Sequence, residues 1–457
     1  MVKENITYYC KKACSLTGKK VSEYEVYGAE STHNEAEIFN GNIESLSFSG
    51  EKGIGIRVFK KGKTGYAYTS NLEENEIIAC IDKAVENADI STCDIYNYLP
   101  SPKDYLYSGD TVNRKTLFSD NFESFTIEQK IELAKKLESC AKSIDKRVSA
   151  VSDLIYDDVC SDTVIMNSNG FDDSYKSTSA FIYIGIISRD NSDTSTGDYF
   201  GYERDLSFFK IEEIAEMAVK RSTSLLGAKK IKSGKMDLLL HPFVSAQLLQ
   251  VLAGILAADS VQKGKSIFKG HLGKKIFALD INIIDDGTLE KGLSSKPFDA
   301  EGVPKGRTVV FENGILQTYL YNTYTARKDS RLSTGNSVRA SYKSPPQTGI
   351  SNFYLEAGKT TVDDMIAKTD KGFYVTDIIG VHSGINPISG QISVGAKGLL
   401  IEKGSLTVPV KEVTIATDIF SFCKSITDTG NDLKFFPSGG YAGSPSLLVE
   451  DITVSGN

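Results

Sequence analysis

The chain has 457 residues, more than one hydrophobic core usually holds, so two domains are expected. Its 40% hydrophobic and 24% charged residues are those of an ordinary globular protein. A net charge of −7, with no basic run longer than Lys60-Lys61 and Lys63, argues against direct binding of nucleic acid. No apolar run approaches the ~20 residues that span a bilayer, so no membrane partner is expected. The start, MVKENITYYCKKACSL, has no signal-peptide core, and a cytoplasmic location is the expectation. Cys10, Cys14, Cys80, Cys93, Cys140, Cys160 and Cys423 form no C-x-x-C pair, which predicts free thiols and no metal site among them.

In chain order, residues 3–20 read as a helix, and Glu25 to Phe48 alternates as strands reversed at Asn40-Gly41. A second hairpin covers Gly53 to Thr69 with Lys61-Gly62 at its tip. Asn71 is the expected cap of a helix that turns Ile77, Ile81, Ala84, Val85 and Ala88 inward. After a polar loop, Thr126 and Gln129 form a capping box for a helix burying Ile127, Ile131, Ala134, Leu137 and Ala141. Strands return from Val148 to Asp190, and Ile211 to Leu225 is an amphipathic helix.

The flexible, basic stretch Gly227 to Gly234 is the best boundary, dividing residues 1–228 from 229–457. Beyond it, Met236 to Leu240 is a strand and Val244 to Asp259 an apolar helix. The rest is mostly strand, with a reversal at Asn313-Gly314 and a short helix capped by Thr361 and Asp364. Asp377 to Ile419 reads as a glycine-bearing meander, its strands Ala396–Glu402 and Ser405–Val410 joined at Lys403-Gly404. Pro409 belongs at an edge or a strand end because it cannot donate to a ladder. The fold class is α+β: a mixed first half of hairpins and helices, then a β-rich, barrel-like second half with one long apolar helix.

Catalytic patterns are scarce. Gly55 stands too far ahead of Gly62-Lys63-Thr64 for a phosphate-cradling loop, and its flanks are both strands. His33, His241, His271 and His382 lie far apart in sequence, so no helix offers a paired-histidine zinc site. Asp285-Asp286-Gly287 reads as a turn, since adjacent strand residues face opposite ways. There is no G-x-S-x-G elbow. The glycines around Gly395, Ala396 and Lys397 suit either a twisted barrel wall or a surface that pairs with an extended peptide.

The segments GIGIRVFKKGKTGYAYT (Gly53 to Thr69), GKSIFKGHLGKKIFALDINIIDDGTL (Gly264 to Leu289) and PFDAEGVPKGRTVVFENGILQTYLYNTYTARK (Pro297 to Lys328) follow one another in a recognisable order. With STGN (Ser333 to Asn336), VPVKEVTI (Val408 to Ile415) and GNDL (Gly430 to Leu433), the chain resembles the TldD/PmbA (TldE) family, the so-called modulators of DNA gyrase, end to end. In the TldD type a helix carries H-E-x-x-x-H and a Cys near the C-terminus completes a zinc site. Those helix positions fall here on Leu249, Gln250 and Gly254, and Phe435 to Ser446 contains no Cys.

The resemblance therefore implies the PmbA/TldE type: a subunit without catalytic or metal residues of its own. It implies a TldD-type partner, in a heterodimer or larger assembly, whose zinc cuts extended peptides. This chain would wall the substrate chamber, with Gly395, Ala396, Lys397 and His382 as candidates for that wall, and would homodimerise when alone. Two rival expectations stand beside it. One is a stand-alone metallopeptidase with ligands relocated to His241, His271, His382 or Asp285. The other is a non-proteolytic protein that binds and modulates DNA gyrase.

Overall fold

Residues 4–109, 112–437 and 441–456 are described by the computed structural model. A single unit, helix–three strands–helix, is used twice in the first half. It comprises α1 (Ile6–Thr17), β1 (Glu23–Phe39), β2 (Asn42–Lys60), β3 (Lys63–Thr69) and α2 (Glu74–Ile90). It then recurs as α3 (Ile127–Ile144), β4 (Val148–Asn167), β5 (Asp172–Asp190), β6 (Asp193–Glu203) and α4 (Ile211–Thr223). The six strands make one antiparallel sheet in the order β3-β2-β1-β4-β5-β6, joined across the middle by β1 and β4.

Turn chemistry sets these hairpins. Asn40-Gly41 and Lys61-Gly62 both take left-handed φ (50° and 74°; 52° and 80°), which matches the twist of the strands they join. One face of the sheet carries all four helices. Ile77, Ile81 and Ala84 of α2 pack on Ile54 and Ile56, and Leu137 and Ala141 of α3 pack among Ile182, Ile184 and Ala36. The Thr126–Gln129 box caps α3 as its sequence predicts. Asn71 does not cap α2: that helix starts three residues on with Glu73 at the cap, and Asn71 instead accepts the Glu73 N–H at 3.1 Å in a turn.

The second half holds two further six-stranded sheets. Its elements are β7 (Gly234–Leu240), α5 (Pro242–Ile255), α6 (Ala258–Gln262), β8 (Ile283–Asp286), β9 (Arg307–Glu312), β10 (Ile315–Leu316), α7 (Thr323–Lys328), the small pair β11 (Ser337–Val338) and β12 (Gln347–Thr348), and β13 (Asn352–Leu355). They continue as α8 (Val362–Lys368), β14 (Lys371–Ile379), α9 (Val381–Gly384), β15 (Gln391–Glu402), β16 (Ser405–Asp418), α10 (Ile419–Ser425), β17 (Ile426–Thr429), β18 (Lys434–Pro437), β19 (Tyr441–Ser444) and β20 (Leu447–Ser455). One sheet runs β10-β9-β8-β13-β19-β18. In the other, β16 pairs with both β15 and β20, so β16-β15-β14-β7-β20 closes into a five-stranded barrel.

Closure removes sheet edges and buries Leu238, Phe373, Val394, Val413 and Val454 in one core. Pro409 lies inside β16 rather than at its end, where β16 pairs with β15 on one side and on the other meets Lys229, which donates to the Pro409 carbonyl and accepts from the Lys411 N–H. That local edge is what tolerates a residue with no N–H. None of the described helices is long and apolar enough to cross a membrane.

Candidate functional site

Helix α5 lies where the two second-half sheets and the first sheet meet. Pro242 at its first turn and His241 at its cap begin it, the His241 Nδ1 accepting the Phe243 N–H at 3.2 Å. Burial, then the nearby positive charge of Arg221, pushes the His241 imidazole down to about 3, so it stays a neutral acceptor. Val244, Leu249, Leu252 and Ala253 turn into the core. Phe243, Gln247, Gln250 and Gly254, spaced four, three and four apart, form the stripe turned away from that core.

Phe243, Gln247 and Gln250 of this stripe line a cleft. Gln247 and Gln250 meet Ile378, Gly380, Val381 and His382 around a cavity of about 390 Å³. On the other side of Gln247, Phe200 of the first sheet joins Phe243, Phe436 and Ala442 around a smaller cavity of about 160 Å³. The Phe243 and Phe436 rings meet edge-on at 5.2 Å, and the Arg221 guanidinium lies 4.6 Å from the Phe243 ring centre. Asp377 pairs with Lys397 at 2.9 Å and stands 3.9 Å from Arg221, tying β14, β15 and α4 together beside the cleft.

The predicted chamber residues occupy different settings. His382 is exposed on α9 at the cavity rim. Lys397 is half-buried in its ion pair, while Ala396 is buried in the barrel core. Gly395 pairs with Ile379 and Thr414, and a methyl group there would make only ordinary 3.5 Å contact with Ile379. The glycine that close approach demands is Gly398, where a Cβ would fall 1.9 Å from the Tyr374 carbonyl.

At the three positions of the zinc motif, Leu249 points into an apolar cavity with Leu252, Ile255 and Phe422. Gln250 offers a neutral amide and Gly254 no side chain. Zinc takes imidazole, thiolate or carboxylate ligands, so these three residues do not fit it. Ser438, Gly439 and Gly440, within the segment where the family's Cys would fall, lie outside the described residues.

The residues named for a relocated site each have separate work. His271 packs on the Phe420 ring at 4.9 Å. Asp285 is buried, accepting from Asn336 at 2.6 Å and the Ser351 N–H at 2.7 Å, and burial raises its pKa. Only Asp286 serves the turn, accepting the Thr288 N–H at 2.8 Å. The group of His, Asp and Glu ligand atoms that does converge among the described residues is His33, Glu35 and Asp157, on the helix-free face where β1 meets β4. Its signal in the sequence was alternation: His33 and Glu35 are two apart on one strand. The pairing with Asp157, which raises the His33 pKa by hydrogen bonding, required knowing that β1 lies beside β4.

Three family models cover the chain: the PmbA/TldA metallopeptidase domain 1 over residues 24–88, the central domain over 120–226 and the C-terminal domain over 233–456. The chain belongs to the PmbA/TldD family of metallopeptidases. It is 28% identical to a metalloprotease PmbA homolog of Buchnera aphidicola, over 98% of this chain and 96% of that one. It is equally 28% identical to a metalloprotease TldD homolog of Haemophilus influenzae, over 91% and 89%. Among solved structures, a candidate modulator of a DNA gyrase from Thermotoga maritima superimposes with a TM-score of 0.87 at 29% identity, covering 99% of this chain and 100% of that one. TldE from Thermococcus kodakarensis shares the fold with a TM-score of 0.87 at 22% identity, over 98% and 100%.

Proposed function

We propose that this protein is the PmbA/TldE-type subunit of a two-component metallopeptidase, working in the cytoplasm and supplying a chamber wall while a TldD-type partner supplies the zinc. One observation carries the reading: in a metallopeptidase-family chain, the motif helix α5 turns Gln250 toward the cleft, Gly254 to the open surface and Leu249 into the core. A carboxamide is no general base for water, and glycine is no ligand. The cleft itself remains, lined by apolar rings and neutral amides, which suits an extended peptide held for cutting elsewhere. The residues proposed for that wall are Gln247, Gln250 and His382, with Lys397 and Gly395 on the adjoining barrel strand.

The test is complementation. Purified alone, the chain is expected to leave an unfolded peptide such as reduced, alkylated casein fragments intact, and cleavage is expected when a TldD-type subunit is added. Chelator-sensitive cleavage by the isolated chain would overturn the proposal. So would a mixture in which this chain binds the TldD-type subunit without any cleavage, which would favour a purely modulatory role.

A further inference from the structure

On the helix-free face of the first sheet, β1 and β4 bring three ligand-bearing side chains to one point. His33 and Glu35 are two apart on β1, so both project from the same face. Asp157 of β4 lies directly opposite Glu35 in the ladder. One ligand atom from each of the three falls within 4.8 Å of the others, and all three residues are half-buried. Like charges that face each other across a ladder destabilise it. Here the compensation is incomplete. His33 Nε2 bonds the Asp157 carboxylate, while Glu35 has no hydrogen bond or ion pair among the described residues. No Lys or Arg among them pairs with Asp157 either.

A divalent cation answers both carboxylates at once. Donors two apart on one strand, with a third across the ladder, make a facial set of three that leaves further coordination positions for water. We propose that His33, Glu35 and Asp157 bind a divalent transition-metal ion such as zinc, at the seam between the two units of the first sheet. One imidazole with two carboxylates suits zinc or cobalt, whereas calcium and magnesium take oxygen donors. This site is separate from α5, whose motif positions Leu249, Gln250 and Gly254 lie in the other half of the chain. β1 and β4 are the strands that join the two units, so the ion pins one unit to the other. Asp157 also pairs with Phe181, whose ring lies 5.7 Å from that of Phe200 in the cleft wall. The ion therefore sits on the sheet face that leads to the cleft, two strands from Phe200.

Calorimetric titration of the chelator-treated chain with zinc is the direct test. The wild type is expected to take up one ion per chain with a roughly micromolar dissociation constant. His33→Ala and Asp157→Asn should each weaken uptake by about tenfold or more. Glu35→Gln should do the same, although it breaks no contact of the metal-free chain, and so separates a metal site from a plain His33–Asp157 pair. Zinc should raise the melting temperature of the wild type and not of the variants, whose circular dichroism should match it. With cobalt the absorption spectrum should lack a thiolate band, since no Cys belongs to the set. A chain that takes up no zinc, uptake unchanged by Glu35→Gln, or a thiolate band overturns the proposal. Displacement of zinc by equimolar calcium also overturns it, naming an all-oxygen site. None of these readouts depends on peptide cleavage, so they stand or fall apart from the proposed role in proteolysis.

Discussion

The two helix–strand–helix units of the first sheet share a plan and differ in how each is held to the rest of the chain. The first is fastened by buried charge. Arg57 of β2 bonds Glu25 at 2.6 Å and Glu301 at 3.1 Å, and Arg339 reaches Glu25 from the second half. The second is fastened mainly by rings, beside the longer Arg221–Asp377 contact: Phe200 meets Phe243 and Phe436, and Tyr202 meets Tyr441. Their free edges differ as well. The loop before α3 seals the exposed edge of β5, Leu117 accepting the Thr178 N–H and Arg114 clamping Asp173, whereas nothing among the described residues pairs with the corresponding edge of β2. A duplicated scaffold thus carries one closed side and one open side.

The charge-fastened side should show the largest response. Glu25→Ala leaves two buried guanidinium groups short of a partner, and a loss of about 3–5 kcal/mol in urea unfolding is expected. Burial favours the neutral acid, but Arg339 and Arg57 outweigh it and hold the Glu25 carboxyl below its ordinary 4.5. The stabilisation is therefore complete above that value and lost as pH falls through the lower folded value, so the variant should flatten the acid limb of the stability curve. A loss under about 1 kcal/mol would mean that solvated charge, not a buried pair, joins these parts.

On the ring-fastened side, Phe436→Ala should cost about 3 kcal/mol, because it empties a buried pocket between Phe200 and Phe243. This loss should stay constant as pH falls below 4.5, where the Glu25 anchor is lost. If it follows the same acid limb as Glu25→Ala, the contrast between the two fastenings fails. The smallest effect belongs to the helix starts. In each unit the first helix has a side-chain cap, Asn5 or Thr126, and the second has none. Thr126→Ala should cost about 1 kcal/mol by thermal denaturation, and Glu73→Ala almost nothing.

Local chemistry was legible along the chain. Asn40-Gly41, Lys61-Gly62, Asn313-Gly314 and Lys403-Gly404 each turn with left-handed φ, because that choice depends on neighbours in sequence and on little else. The Thr126–Gln129 and Thr361 caps have the same origin. The order of segments from Gly53 to Leu433 likewise pointed to the family. Asn71 was misread as a cap because a good capping residue serves a turn equally well, and local preference does not say which.

The residues alone determined where the chain reverses, which faces of its helices are apolar, and that Leu249, Gln250 and Gly254 stand where metal ligands would. Pairing between distant segments was settled only in three dimensions. The twofold use of one unit, the closure of β16 on β20 and the meeting of His33 with Asp157 all join residues far apart in sequence. So does the cleft that brings Phe200 to α5. Turn and cap energies act over a few neighbouring residues, whereas strand partners are chosen by burial summed over the whole fold.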